Sequence, residues 1–196
     1  NILPKEASHN FPIPHLKFLE EKGFDPEEVI DEYKLLACHT TGIYKHRIII
    51  PVIMDGEVVN FTSRDVSKQS KNRYLSCSDL HSIIPIKQCI YNIDNVDRIM
   101  VVVEGPTDVW KFGPGAVATF GTQYTKEQIV RIQNCKPDKI FIMFDCEPAA
   151  IKEAHIIARK MDWIFGNGKS EVLELSDGDP GSMSKDEINR LRRELL

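Results

Sequence analysis

The second half of the chain repeats one pattern four times: a continuous apolar run that ends in an acid or a glycine. Ile99–Val103 ends in Glu104-Gly105, residues 116–120 in Gly121-Thr122, residues 139–144 in Asp145, and residues 172–175 in Ser176-Asp177-Gly178-Asp179. Helical patterns fill the intervals. The first, over 107–112, is short. Thr125, with Gln128 three residues on, makes a capping box ahead of residues 126–134. Residues 149–161 place apolar side chains at 150, 151, 154, 157, 158 and 161, a 3.6-residue period. Ser184-x-x-Glu187 opens a last helix over 184–195. Strands buried on both faces read as continuous apolar runs rather than alternating ones. Strand and helix in alternation therefore predict an α/β fold with a doubly wound, mainly parallel sheet and helices on both faces.

The first half reads differently. Residues 1–14 hold three prolines and little periodicity, so they read as a linker or extended arm. A helix over 15–22 stops at Gly23, and Asp25-Pro26-Glu27-Glu28 starts another that runs to about Tyr33. Arg47–Met54 reads as a strand, Asp55-Gly56 as a hairpin turn and 57–62 as its return strand. Residues 63–81 are polar and read as a long loop, a kind that is usually functional or disordered. The expected organisation is a small α+β basic subdomain over 1–97 and the α/β domain over 98–196.

Composition excludes several classes. Of 196 residues, 42% are apolar and 28% charged, a globular balance that rules out wholesale disorder. No apolar run approaches the roughly 18 residues that cross a bilayer, so no membrane role is expected. No signal peptide opens the sequence, and Asn1 in place of Met points to a processed chain or an excised fragment. Five cysteines, with no Cys-x-x-Cys pair, exclude a disulfide framework and a zinc ribbon within this segment, and read as ordinary thiols in a reducing compartment. The six histidines show no metal-ligand spacing, and both tryptophans, Trp110 and Trp163, read as core. Net charge is −4, which does not advertise nucleic-acid binding. Its distribution says more. Residues 1–44 carry four Lys/Arg against eight Asp/Glu, whereas residues 45–73 carry six against three. One basic stretch sits in an otherwise acidic chain.

In a parallel sheet, ligands bind outside the carboxyl ends of the strands. There stand Glu104, then Asp145 with Glu147, then Asp177 with Asp179. Crowded carboxylates repel, and hard divalent cations are the usual compensation. Each acid alone could be a helix cap or turn former. The joint placement across strand ends is the specific signal.

Residues 98–183 resemble a Toprim domain: Glu104-Gly105-Pro106-Thr107-Asp108 matches its Glu-Gly after the first strand, and Asp145-Cys146-Glu147 its Asp-x-Asp after the third. The flanks resemble the RNA polymerase domain of DnaG-type primases. Arg47 begins a strand that reaches Pro51, Arg64 follows the hairpin, and Arg73-Tyr74-Leu75 stands at a Lys-Tyr-Leu motif. Ile90-Tyr91-Asn92-Ile93 is similar to a Leu-Tyr-Gly-Leu element, and Asp179-Pro180 to an Asp-Pro motif. The resemblance covers residues 45–183. It implies template-directed synthesis of RNA primers from NTPs on single-stranded DNA, with two or more Mg²⁺ or Mn²⁺ ions. On the same resemblance, Asp145, Glu147, Asp179 and Asp177 are metal ligands, and Glu104 is a ligand or the acceptor of the 3′-hydroxyl proton. Asp108, with Gly105 beside it, would orient a ligand through a water. Arg47, Arg64 and Arg73 would hold phosphates, Tyr74 would stack on a base or pack, and Lys87 is a looser match, one residue out of register. A zinc-binding module and a replicative helicase are expected outside this segment, and the setting is the cytoplasm of a bacterial or phage-infected cell.

The sequence departs from the pattern in four places. Glu147 replaces the commoner Asp, Ala149-Ala150 the usual Ala-Gly, Arg73 a Lys, and Gly181 a frequent further Asp. These bear on one metal position, which would be built differently or bind less tightly. The alternatives are a Toprim nuclease or topoisomerase piece, a signalling receiver-like module with Asp145 as phospho-acceptor, and a non-catalytic nucleic-acid-binding Toprim domain. A topoisomerase also needs a nucleophilic Tyr on a separate domain, which this length hardly accommodates, and the basic hairpin favours the primase.

Overall fold

A computed structural model describes residues 2–175 and 178–195. The chain divides into two compact units, Asn1–Ile86 and Lys87–Leu196.

The first unit is built on a four-stranded antiparallel sheet in the order β1-β2-β3-β4: β1 (Ala7–Ser8), β2 (Leu36–Cys38), β3 (Arg47–Met54) and β4 (Glu57–Asp65). The β3–β4 turn is the expected one: Asp55 (φ 54°) and Gly56 (φ 76°) are both left-handed, as a two-residue hairpin loop requires. Ile48, Ile49 and Ile50 are fully buried, so both faces of β3 are covered and its pattern is continuous. Helix α1 (Ile13–Glu21) buries His15, Phe18 and Leu19, and α2 (Pro26–Glu32) is capped by Asp25, which accepts from Glu27 N at 3.0 Å and Glu28 N at 3.2 Å.

Two expectations for this unit change. The N-terminal arm contains β1, which pairs Ala7 with Cys38 and Ser8 with Ala37. A two-residue strand has no period to read; partners 31 and 29 positions away define it. The presumed loop is also shorter and more ordered. β4 runs on to Asp65, and the chain then folds back along it: Arg73 O accepts from Asp65 N (3.0 Å), Leu75 N donates to Ser63 O (3.0 Å) and Cys77 N to Phe61 O (2.9 Å). Leu75 and Cys77, two residues apart, join the core of Leu36, Cys38, Tyr44, Ile49 and Phe61.

The second unit is a wholly parallel sheet in the order β6-β5-β7-β8: β5 (Ile99–Val103), β6 (Ala116–Ala118), β7 (Lys139–Ile142) and β8 (Ser170–Val172). α3 (Pro106–Phe112) links β5 to β6 in one direction. α4 (Lys126–Cys135) and α5 (Pro148–Phe165) link β6 to β7 and β7 to β8 in the other. Right-handed crossovers then place α3 on the face opposite α4 and α5, so the sheet is doubly wound. α6 (Lys185–Leu195) packs against α3. Tyr91 exchanges both backbone hydrogen bonds with Ala118 at the edge of β6, and Trp110 Nε1 donates to its hydroxyl at 2.8 Å.

The capping boxes form as read. Gln128 also does more: fully buried, it donates to Cys89 O (2.8 Å) and Thr119 O (3.0 Å). Trp163 overturns its reading, being 86% exposed. α5 buries Ala150, Ala154, Ile157, Ala158 and Met161, and residue 163 falls on the opposite side of that stripe. None of the five cysteines is in a disulfide; burial pushes Cys38 up to about 11 and Cys89 to about 12. Among the described residues, no helix is long and apolar enough to cross a membrane.

Candidate active site

The strand order places the switch point between β5 and β7, whose onward connections depart in opposite directions, and the crevice lies at their carboxyl ends. Glu104 follows β5 directly. Its Oε1 accepts the Asp145 backbone N–H at 3.2 Å, which ties the end of β5 to the end of β7. Cys146 N donates to Gly178 O at 3.0 Å and so ties the segment after β7 to the one after β8. Asp108, 8% exposed in the first turn of α3, accepts from Gly105 N at 3.0 Å through Oδ2. Its Oδ1 faces Gly181: a Cβ at that glycine would lie 2.9 Å from Asp108 Oδ1 and 3.2 Å from Asp179 Oδ1. Two carboxylates thus converge on a residue without a side chain.

Electrostatics reports the same convergence. Burial raises the Asp108 carboxyl to about 7; the Gly105 N–H opposes this, and the charges of Asp145, Asp179 and Glu104 add to it. Burial also raises Glu104, against the Asp145 N–H and with repulsion from Asp145, Glu147 and Asp179. Asp145 is raised by burial and then by Asp179 and Glu147. Among the described residues, none of these five acids forms an ion pair with a Lys, Arg or His. The donor set is all carboxylate oxygen, which suits hard divalent cations. Among the described residues, no three acidic, His or Cys side chains close on a common point as ligands of one ion. Asp177 lies outside the described residues.

The basic candidates fall into two groups. In the first unit, Arg64 pairs with Tyr74 across a β-bridge, its guanidinium carbon 4.8 Å from the Tyr74 ring centre and 5.5 Å from that of Phe18. Its Nε is buried without a hydrogen-bond partner. Arg73 is exposed. Arg47 is 4% exposed, and its guanidinium hydrogen-bonds within the unit. In the second unit, Lys87 Nζ donates to Phe120 O at 2.6 Å, and its surroundings lower its pKa by desolvation. Phe120 (φ 59°) and Gly121 (φ 115°) form a left-handed pair after β6, and Gly121 N donates to Glu104 O at 2.9 Å. Lys87 therefore stands at the turn beside the first acid. Sequence reasoning missed the Phe120 carbonyl as its anchor, because a backbone acceptor leaves no residue signature. A separate cavity of about 510 Å³, lined in part by Arg98, Gly115 and Lys139, opens at the amino ends of the same strands and includes none of the five acids.

Solved structures share this architecture. The RNA polymerase domain of Mycobacterium tuberculosis primase DnaG superposes with a TM-score of 0.73 at 20% identity, over 93% of this chain and 75% of that one. The fold is that of a primase RNA polymerase domain. The primase fragment of the bacteriophage T7 primase-helicase protein gives a TM-score of 0.69 at 17% identity, over 90% of this chain and 72% of its own. The Aquifex aeolicus primase, solved with its zinc-binding and RNA polymerase domains, gives 0.64 at 22% identity over 91% of this chain. This chain spans 48% of the Aquifex one. The Mycobacterium domain is also solved in complex with double-stranded DNA. No family model and no curated protein matches the sequence.

Proposed function

We propose that the chain is the catalytic part of a DNA primase, a Toprim nucleotidyltransferase that builds RNA primers from NTPs on single-stranded DNA. The observation that carries this reading is the convergence of Glu104, Asp108, Asp145, Glu147 and Asp179 at the carboxyl edge of a parallel sheet, on a fold that solved primase domains share. Asp145, Glu147 and Asp179, with Asp177, would hold Mg²⁺ or Mn²⁺. Bound there, the ions would supply charge neutralisation at the attacking 3′-oxygen, the α-phosphoryl group and the departing pyrophosphate. Glu104 keeps Asp145 in register through Oε1, which leaves Oε2 for a cation or the 3′-hydroxyl proton. Asp108 holds the Glu104-Gly105 turn through Gly105 N, and its Oδ1 lies beside Gly181 in the segment that carries Asp179.

Arg64, Arg73 and Lys87 would meet phosphates, because guanidinium and ammonium donors match phosphate oxygens without reading sequence. Tyr74 packs under Arg64 and offers a ring for a base. The zinc-binding module and the helicase would lie elsewhere in a longer protein or in partners, in the cytoplasm of a bacterial or phage-infected cell. The Aquifex structure contains a zinc-binding domain beside its RNA polymerase domain, and the T7 fragment comes from a primase-helicase protein, which supports that arrangement.

The test is ribonucleotide incorporation with Mg²⁺ or Mn²⁺ on single-stranded DNA and, in parallel, on a preformed primer–template. The control is the double variant Glu104→Gln, Asp145→Asn. Templated addition that vanishes in the control is expected. Strand cleavage in place of addition would move the reading to a nuclease, and DNA binding without chemistry would move it to a non-catalytic domain.

A further inference from the structure

Arg47 stands at the start of β3, is 4% exposed and opposes Asp65 in the hairpin register. Nη2 donates to Asn72 O at 2.8 Å and to Ser70 Oγ at 2.9 Å. Nη1 donates to Arg73 O and Ser63 O, both at 3.4 Å. Three of these four acceptors belong to residues 70–73. Among the described residues Arg47 has no ion pair, and Asp65 Oδ1 is taken by Ser67 Oγ at 2.9 Å. Its charge is therefore balanced by loop carbonyls rather than by an acid.

The loop it grips is otherwise lightly held. Lys68, Gln69, Ser70, Lys71, Asn72 and Arg73 are all exposed. Ser70 Oγ bonds Asn72 through both O (3.1 Å) and N (3.3 Å), which makes one small turn. Among the described residues, the one other hydrogen bond from this turn to the sheet is that which Asp65 N donates to Arg73 O. A flexible polar loop carrying cations loses conformational entropy when it orders on a ligand. A buried fork that fixes its carbonyls removes that cost in advance. Lysine cannot replace it, since one ammonium cannot span four acceptors in a plane.

We propose that Arg47 is a positioning residue: it does not touch nucleic acid itself but braces residues 70–73, so that Lys71 and Arg73 are held out to a phosphodiester chain. The inference rests on the nucleic-acid reading above and assigns Arg47 a different part in it.

The test measures binding of the full chain to a fluorescein-labelled oligodeoxythymidylate by anisotropy across a salt series. Arg73→Gln should weaken binding and lower the slope of log affinity against log salt by about 0.7, one phosphate contact on a single strand. Arg47→Lys should weaken binding at least as much although net charge is unchanged, because Lys71 and Arg73 are both released, and the double variant should be no worse than Arg47→Lys alone. Ser70→Ala removes one loop-side partner of Arg47 without touching the core, and should weaken binding non-additively with Arg73→Gln even if Arg47→Lys does not fold. Additive losses, or wild-type affinity in Arg47→Lys, would overturn the proposal. A trypsin arm separates the two readings: faster cleavage after Lys71 and Arg73 in Arg47→Lys supports the brace even if the wild-type chain binds no DNA, an outcome that would remove the nucleic-acid reading instead.

Discussion

The two units handle charge in opposite ways. In the antiparallel unit, Arg47 is buried and its donors are engaged by loop carbonyls, while Arg64 lies between two aromatic rings. In the parallel unit, five carboxylates gather at one strand edge with no basic side chain paired to any of them among the described residues. Neutralised charge holds a structure together, whereas crowded, unpaired charge of one sign costs stability and remains only where a ligand repays it. The difference teaches where to look for chemistry.

The comparison breaks most sharply on activity. Asp145→Asn should lower nucleotide incorporation by about a thousandfold, since metal-held charge stabilises the transition state by several kcal/mol. Its metal-free melting temperature should stay equal or rise, because a repelling charge is gone. A loss of stability in calorimetry alongside the loss of activity would contradict the contrast. Next comes Phe61→Ala, in the core of the antiparallel unit and 1% exposed. It should cost about 3–5 kcal/mol in denaturant unfolding.

A pH series sharpens the contrast further. Asp108 rises from an ordinary 3.8 to about 7 in the folded chain. The native state then holds a proton that the unfolded chain has released, so this group makes stability fall as pH rises between about 4 and 7. Chelator-treated protein should gain stability on going from neutral to mildly acid pH, and Asp108→Asn should flatten that part of the profile. The smallest effect belongs to Trp163→Gln. Exposed on α5, it should change stability by no more than about 0.5 kcal/mol, whereas truncation of buried Trp110, which bonds Tyr91, should cost several times that.

Elements with a local signature were legible in the sequence. β3 and β5 begin and end where their apolar runs do, and the caps of α2, α4 and α6 form at Asp25, Thr125 and Ser184. The order of acids at strand ends was legible because a parallel sheet brings carboxyl ends together whatever the intervening helices. What escaped depends on distant partners. β1 exists through Cys38 and Ala37, the return of residues 73–77 through Ser63 and Phe61, and the Lys87 anchor through a carbonyl 33 positions away. Arg47 is assigned to phosphates by resemblance, and the loop that its fork meets lies 23 to 26 positions away, beyond any local pattern.

The central claim is that the carboxylates at the ends of β5 and β7 form a divalent-cation site. Free Mn²⁺ measured by electron paramagnetic resonance during titration of the chain tests it without requiring turnover. The account predicts that the wild-type chain depletes the free-ion signal, that Asp145→Asn loses this binding, and that Arg47→Lys retains it. Binding undiminished in Asp145→Asn, or absent from the wild type, would contradict it.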